Sequence, residues 1–219
     1  MTGIDSILPE DGWARLAVAG SARTFPPGEL LLRQGDMGDH LIVLLHGRVK
    51  VTWLSPDGNE IVLAVRGPGD VIGELALLSG GGHSANVSAI DRCAARIIPA
   101  PEFYQTIKEL NSENALVHHA LNRLREGEAF RAELPSLPRD QRVIRTLLRL
   151  AVSPAARHRR SPAVEVPLDQ REFGRTVGLS RGVVSAELAK LRSLGLVETG
   201  RGRILIHDLD ELRRMSYEG

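Results

Sequence analysis

The chain has 219 residues and a net charge of +1, with 42% hydrophobic residues, 25% charged ones and one cysteine. That is the balance of an ordinary soluble protein long enough for two domains. It excludes a disulfide scaffold, because Cys93 has no intramolecular partner, and a bilayer-embedded role, because no apolar run approaches the roughly 18 residues a span requires. The charge is unevenly placed: residues 139–214 hold 16 Lys or Arg against 9 Asp or Glu, a net of +7, while the remainder nets −6. One half is thus suited to meet a polyanion. The opening MTGIDSILPEDGW lacks the basic start and apolar core of a signal peptide, so a reducing cytoplasm is the expected compartment.

From about residue 23 to 100, short apolar runs (LLLRQ, LIVLLHGRVKVTWL, EIVLAV, ARIIPA) are separated by turn clusters. These clusters, such as Pro26-Pro27-Gly28 and Pro56-Asp57-Gly58-Asn59, supply the dihedrals that tight turns need, and many short strands at this spacing predict a sandwich, barrel or roll. Arg48, Val49, Lys50, Val51, Thr52 and Trp53 alternate polar and apolar, the pattern of a half-buried strand. The stretch GELALLSGGGHSANV, residues 73–87, then sets a carboxylate, a short apolar run and three glycines before His83 and Ser84. It is either a backbone cup able to hold an anion or a simple hairpin loop.

After Pro101 the periodicity becomes helical, first in PEFYQTIKELN and then in SENALVHHALNRLREGEAFRAEL. In the second, Leu116, Val117, Ala120, Leu121, Leu124 and Phe130 form an apolar stripe that either lies on its own domain or pairs with a second copy. His118-His119 are adjacent rather than spaced for chelation and read as solvated helix surface. Leu134-Pro135-Ser136-Leu137-Pro138 interrupts the helix as a hinge. The helix RDQRVIRTLLRLAV follows, then a polar, loose segment, SPAARHRRSPA.

The most specific signal is LDQREFGRTVGLSRGVVSAELAKLRSLGLVETGRGRILI. Asp169 with Glu172 three residues on has capping-box spacing for a short helix that stops near Gly178; Ser180 caps a second, along which Val184, Leu188, Leu191 and Leu194 recur until Gly195. Small Gly174 falls where the first helix would approach the second. Helix, tight turn and helix in a basic setting predict a DNA-reading motif. The outward face then carries Arg181, Gly182 and Ser185, with Ser180 and Arg171 at the neighbouring helix starts. Arg181 is suited to fork onto guanine O6 and N7, or to hold a phosphate. ETGRGRILI predicts a hairpin wing with Arg201 and Arg203 along the phosphate backbone.

In this order, the β unit, striped helix and winged helix-turn-helix resemble the bacterial transcription regulators of the cyclic-AMP receptor protein and fumarate-nitrate regulator (CRP/FNR) superfamily over nearly the whole chain. GPGDVIGELALL looks like that family's cyclic-nucleotide cassette and VGLSRGVVSAELAKLRSLGLV like its recognition helix. The resemblance implies an α+β architecture: a jelly-roll-like sensor domain over residues 1–112, a dimerisation helix and hinge over 113–138, and a winged helix-turn-helix domain over 139–219. It implies a homodimer on a two-fold DNA operator, with RNA polymerase as a further partner. Carried across by position, Gly73 starts the cassette with Leu75 beside it, Glu74 is the ribose acceptor, and Ser84, followed by Ala85, is the phosphate hydroxyl. His83 occupies the position of the phosphate-binding arginine, and a neutral imidazole lacks the guanidinium fork. The cofactor expectation is therefore cyclic AMP or another cyclic nucleotide bound weakly, a different ligand, or none. The long helix has no Ser or Thr over residues 123–134, offering Gly127 and Glu128 in their place. An iron-sulfur centre is not expected, for want of a cysteine cluster, and neither is a metal site. No nucleophile-base pair or phosphate-cradling loop points to an enzyme. The competing class is a cyclic-nucleotide-binding module that controls a partner protein.

Overall fold

A computed structural model describes residues 3–151 and 164–217; the segment SPAARHRRSPA lies outside them. Turn chemistry lays out the first hundred residues. Strands β1 (Ser21–Phe25), β2 (Leu30–Leu32), β3 (His40–His46), β4 (Val49–Leu54), β5 (Glu60–Arg66), β6 (Val71–Ile72), β7 (Asn86–Ala89) and β8 (Cys93–Pro99) form two antiparallel sheets, ordered β1-β8-β3-β6 and β2-β7-β4-β5. Phe25, Ile42, Leu44, Val49 and Val87 pack between them. This is the expected roll. Helix α1 (Glu10–Leu16) precedes it, and α2 (Glu74–Ser79) and α3 (Ala100–Glu109) are set into and after it. Phe103 and Ile107 of α3 close a second apolar cluster, with Leu41, Val43 and Ile98.

The long helix α4 (Glu113–Glu133) ends in a 3-10 turn at Leu134–Ser136, where the paired prolines forbid continuation, and α5 (Arg139–Ala151) begins one turn later. The hinge is well tied. Arg142 donates from Nε to the Leu137 carbonyl at 2.9 Å and from a second nitrogen to that of Pro135, and Arg145 pairs with Glu133. The C-terminal domain continues with β9 (Val164–Val166), α6 (Gln170–Val177), α7 (Arg181–Ser193), β10 (Val197–Gly200), β11 (Arg203–Ile206) and α8 (Leu209–Met215). Its core gathers Val143, Leu147, Phe173, Val184, Leu188 and Ile204.

The two domains are packed together, and the contact explains an apparent failure of the strand alternation in β4. Thr52 is buried and Trp53 exposed, the reverse of the reading from sequence. The side chains do alternate: Val51 and Trp53 line a cavity open to solvent, whereas Lys50 and Thr52 face a cleft shared with the C-terminal domain. The inversion is confined to Thr52 and Trp53; Lys50 and Val51 are both half-buried.

The contact lies along β5, the edge strand of its sheet, whose outer backbone groups have no strand partner. The C-terminal domain supplies partners. The Val62 amide donates to Thr176 Oγ1 at 3.3 Å, Arg175 Nε donates to the Glu60 carbonyl at 3.1 Å, and Arg149 Nε to that of Leu63 at 3.4 Å. Val62 and Val65 join the C-terminal core. Two ion pairs flank the seam, Lys50 Nζ to Glu172 at 2.9 Å and Arg48 Nη2 to Glu165 at 3.2 Å.

Inside the C-terminal domain, Gly174 is where α6 meets the turn. A Cβ there would sit 2.9 Å from the Leu179 carbonyl oxygen and 3.6 Å from a Val184 methyl. Backbone on one side and core on the other leave no flexible end to give way. Gly174→Ala should lower the stability of this domain by about 1–3 kcal/mol, read as an earlier denaturation midpoint; an unchanged midpoint would show slack in the turn.

Candidate nucleic-acid interface and effector cavity

The helix-turn-helix forms as its caps require. Asp169 accepts from the Arg171 and Glu172 amides at 2.7 and 2.8 Å, and Glu172 returns a bond to the Asp169 amide at 3.2 Å, completing the capping box. Ser180 Oγ caps α7 through the Val183 amide at 3.4 Å. Val184, Leu188 and Leu191 turn into the core, which leaves Arg181, Gly182 and Ala186 exposed and Ser185 half-buried on the outward face. Arg171, in the first turn of α6, and Ser180 are exposed beside them.

The wing is a hairpin of β10 and β11, with Val197 opposite Ile206 and Gly200 opposite Arg203. Arg192 Nη1 holds it to α7 through Thr199 Oγ1 at 2.9 Å. Its exposed arginines, Arg201 and Arg203, lie at the mouth of a cleft of about 640 Å³ against the sensor sheet, where Lys50, Asp91 and Glu165 also line the wall. In this arrangement the wing tip faces the sensor domain.

The cassette surrounds a second cavity, of about 540 Å³. Gly73 caps α2 from the left-handed region, φ 99°, which a side chain rarely adopts. All six cassette residues expected at a ligand, Gly73, Glu74, Leu75, His83, Ser84 and Ala85, line this cavity. Residues of β4 and β5 (Val51, Trp53, Ile61, Leu63) form an apolar wall opposite.

Glu74 is buried and engaged. Arg123 of α4 donates Nη1 to Glu74 Oε1 and to the Val71 carbonyl, each at 3.1 Å, and its Nη2 pairs with Asp70. The guanidinium thus bolts the long helix to the cassette. His83 is only 6% exposed, and its Nε2 has no hydrogen-bond partner among the described residues. Burial, reinforced by His40 at a ring separation of 6.2 Å, holds its pKa below the ordinary histidine range, so the imidazole is neutral at pH 7. The position expected to meet phosphate carries no charge.

Sequence reasoning missed the cavity's cations. Arg66, Arg123, Arg131 and Arg149 all line it, together with Leu124 and Gly127. The available signal was the spacing Arg123, Gly127, Arg131, each four residues from the next and therefore on one helix face. Glu128, proposed beside Gly127, is exposed and away from the cavity.

Two further expectations are corrected. His119 is buried rather than solvated, because α4 turns it onto its own domain together with Leu116 and Ala120; His118 is exposed. The apolar stripe consequently divides. Leu116 and Ala120 are buried in this chain, Phe130 lies under the Arg149 guanidinium at 4.5 Å, and Val117, Leu121 and Leu124 remain exposed as a row. No group of His, Cys, Asp and Glu set to hold a metal occurs among the described residues, and no helix there is long and apolar enough to cross a membrane.

Comparison with known proteins agrees with both halves. The cyclic nucleotide-binding domain family matches residues 22–109 and the Crp-like helix-turn-helix domain family residues 141–215. The chain belongs to the CRP/FNR superfamily of transcription regulators. Among its relatives, the CRP-like cAMP-activated global transcriptional regulator of Mycobacterium tuberculosis is 28% identical over 87% of this chain and 85% of its own. The cAMP-activated regulator Vfr of Pseudomonas aeruginosa is also 28% identical, over 84% and 87%. A CRP-family transcriptional regulator from Thermus thermophilus superposes with a TM-score of 0.67 at 27% identity, covering 89% of this chain and 96% of that one. FixK2 from Bradyrhizobium japonicum, at 21% identity, reaches 0.73 over 90% and 97% and attests the fold alone.

Burial of His119, with Arg123 adding repulsion, pushes its pKa down to about 4. The folded value lies below the unfolded one near 6.5, so nothing is lost above pH 6.5; as pH falls from there toward 4 the unfolded chain takes up the proton first and stability drops. The loss should reach about 2 kcal/mol at pH 5. Thermal unfolding at pH 7.5 and pH 5 should show a smaller difference for His119→Gln than for the wild type.

Proposed function

We propose that the protein is a dimeric, sequence-specific DNA-binding regulator whose cavity holds an effector of nucleotide type. The observation that carries the DNA reading is the doubly capped helix-turn-helix, which presents Arg181 on an exposed face at the N-terminal end of α7. Arg181 reads a base edge; Arg171 and Ser180 serve the flanking phosphates, and Gly182 and Ser185 let α7 approach the groove closely. Arg201 and Arg203 add backbone affinity once the wing swings from the sensor domain.

The dimer forms along α4. Val117, Leu121 and Leu124, each about 40% exposed, make a row at spacings of four and three that a second copy of the helix would cover. Such a dimer sets two recognition helices on a two-fold operator. RNA polymerase is the natural further partner of a regulator so placed, and the cytoplasm is its compartment.

For the effector, cAMP-activated relatives and the matched domain family favour a cyclic nucleotide. His83 and Ser84 line the cavity beside Gly73 and Glu74, the end at which a phosphate would sit. A neutral histidine in the phosphate position makes cyclic AMP a weak ligand.

Two experiments test this. In binding to operator selected from random DNA, Arg181→Ala should lose roughly 1–3 kcal/mol of discrimination at one base position per half-site, with non-specific affinity little changed. Unchanged discrimination would remove Arg181 from base readout. In calorimetry, His83→Arg should strengthen cyclic AMP binding by roughly ten- to a hundredfold, the worth of a charge-assisted contact. No gain would show that the cassette end does not meet the phosphate.

A further inference from the structure

The charge absent from the cassette end of the cavity reappears at its other end. Four arginines line the cavity against one lining carboxylate, Glu74, and Arg123 is already committed to Glu74 and Asp70. Arg131 and Arg149 have no ion pair among the described residues. They converge on Gly127, where a Cβ would lie 3.7 Å from Arg149 Nη2 and 3.8 Å from both Arg131 Nη atoms. The missing side chain leaves room between two guanidinium groups.

Arg149 is also held in place. Arg149 stacks on the Phe130 ring at 4.5 Å and reaches the Leu63 and Glu126 carbonyls at 3.4 and 3.3 Å, so its planar fork is oriented before any ligand arrives. Burial and then the neighbouring Arg123 bring the pKa of Arg66 down to about 10, so it too is a cation at pH 7 and a desolvated one. Gathering like charges around a cavity is unfavourable unless an anion joins them. His83 and Ser84, at the cassette end, are uncharged and neutralise no phosphate, and the exposed Ser84 hydroxyl can hydrogen-bond one.

We propose that Arg131 and Arg149, with Arg66 behind them, form a second anion subsite around Gly127, so that the cavity takes a nucleotide bearing two separated phosphates in preference to a cyclic mononucleotide. This rests on the reading of the cavity as an effector site. Arg149 belongs to α5, in the C-terminal domain, whereas Arg66 and the cassette belong to the sensor. A ligand with phosphates at both ends therefore ties the DNA-binding domain directly to the sensor, and its differential affinity for the docked arrangement sets the switch. Two chemistries share this description, a nucleoside 3′,5′-bisphosphate and a cyclic dinucleotide.

Calorimetry on the full chain distinguishes them, with cyclic AMP, adenosine 3′,5′-bisphosphate, cyclic di-AMP and cyclic di-GMP as probes. At least one two-phosphate probe should bind ten times or more tightly than cyclic AMP, and which one does identifies the source. Arg149→Met should lose at least tenfold of that affinity, and a smaller factor of whatever affinity cyclic AMP has. Arg131→Met, at an exposed residue whose loss leaves the core intact, should behave alike and guards against misfolding of the first variant. Cyclic AMP binding as tightly as the two-phosphate probes, or both variants being indifferent, would overturn the second subsite while leaving the cavity an effector site. Silence of every probe, with no change in Trp53 fluorescence at the cavity wall, would overturn both readings.

Discussion

The exposed edge of β5 is the constraint on which the domain arrangement depends. A strand edge in water invites pairing, and this one is answered by side chains of α5 and α6. Because Arg175 and Thr176 belong to the first helix of the DNA-reading motif, the orientation of that motif is set by the sensor's own sheet. Lys50 bonded to Glu172 makes the coupling tighter still, since Glu172 is also the third residue of the capping box that starts α6. Docking and helix initiation share one carboxylate.

The inner face of the same hairpin lines the cavity, so one strand pair has two roles: Val51 and Trp53 face the ligand space, while Lys50 and Thr52 face the DNA-binding domain. Opposite them, Arg123 ties α4 to Asp70 and Glu74 in a largely buried ion triad, and removing one member would leave the others uncompensated. The exposed row of α4 thereby stands on the same support as the cassette. Cassette, long helix and DNA-binding domain are thus joined through two packed elements.

Much of this was legible in the residues. Asp169, Glu172, Ser180 and Gly174 specify the helix-turn-helix locally, because caps and a close approach act within a few residues. The turn clusters likewise delimited the roll, and the prolines at 135 and 138 placed the end of α4. What escaped reading was whatever depended on contacts distant in sequence. Arg66, Arg123, Arg131 and Arg149 come from three elements and converge only in the fold. His119 and Phe130 look like helix surface and dimer stripe until the domain packed against α4 is known.

Residue-resolved amide hydrogen exchange at Val62 tests the docked arrangement most directly. On an open edge its N–H would face water; bonded to Thr176 Oγ1 under α6 it should be protected, and Thr176→Val should release it while the amides of β3 and β8 keep their protection. A Val62 amide in the wild type that exchanges as fast as an unstructured one would contradict the docking of the DNA-binding domain on β5.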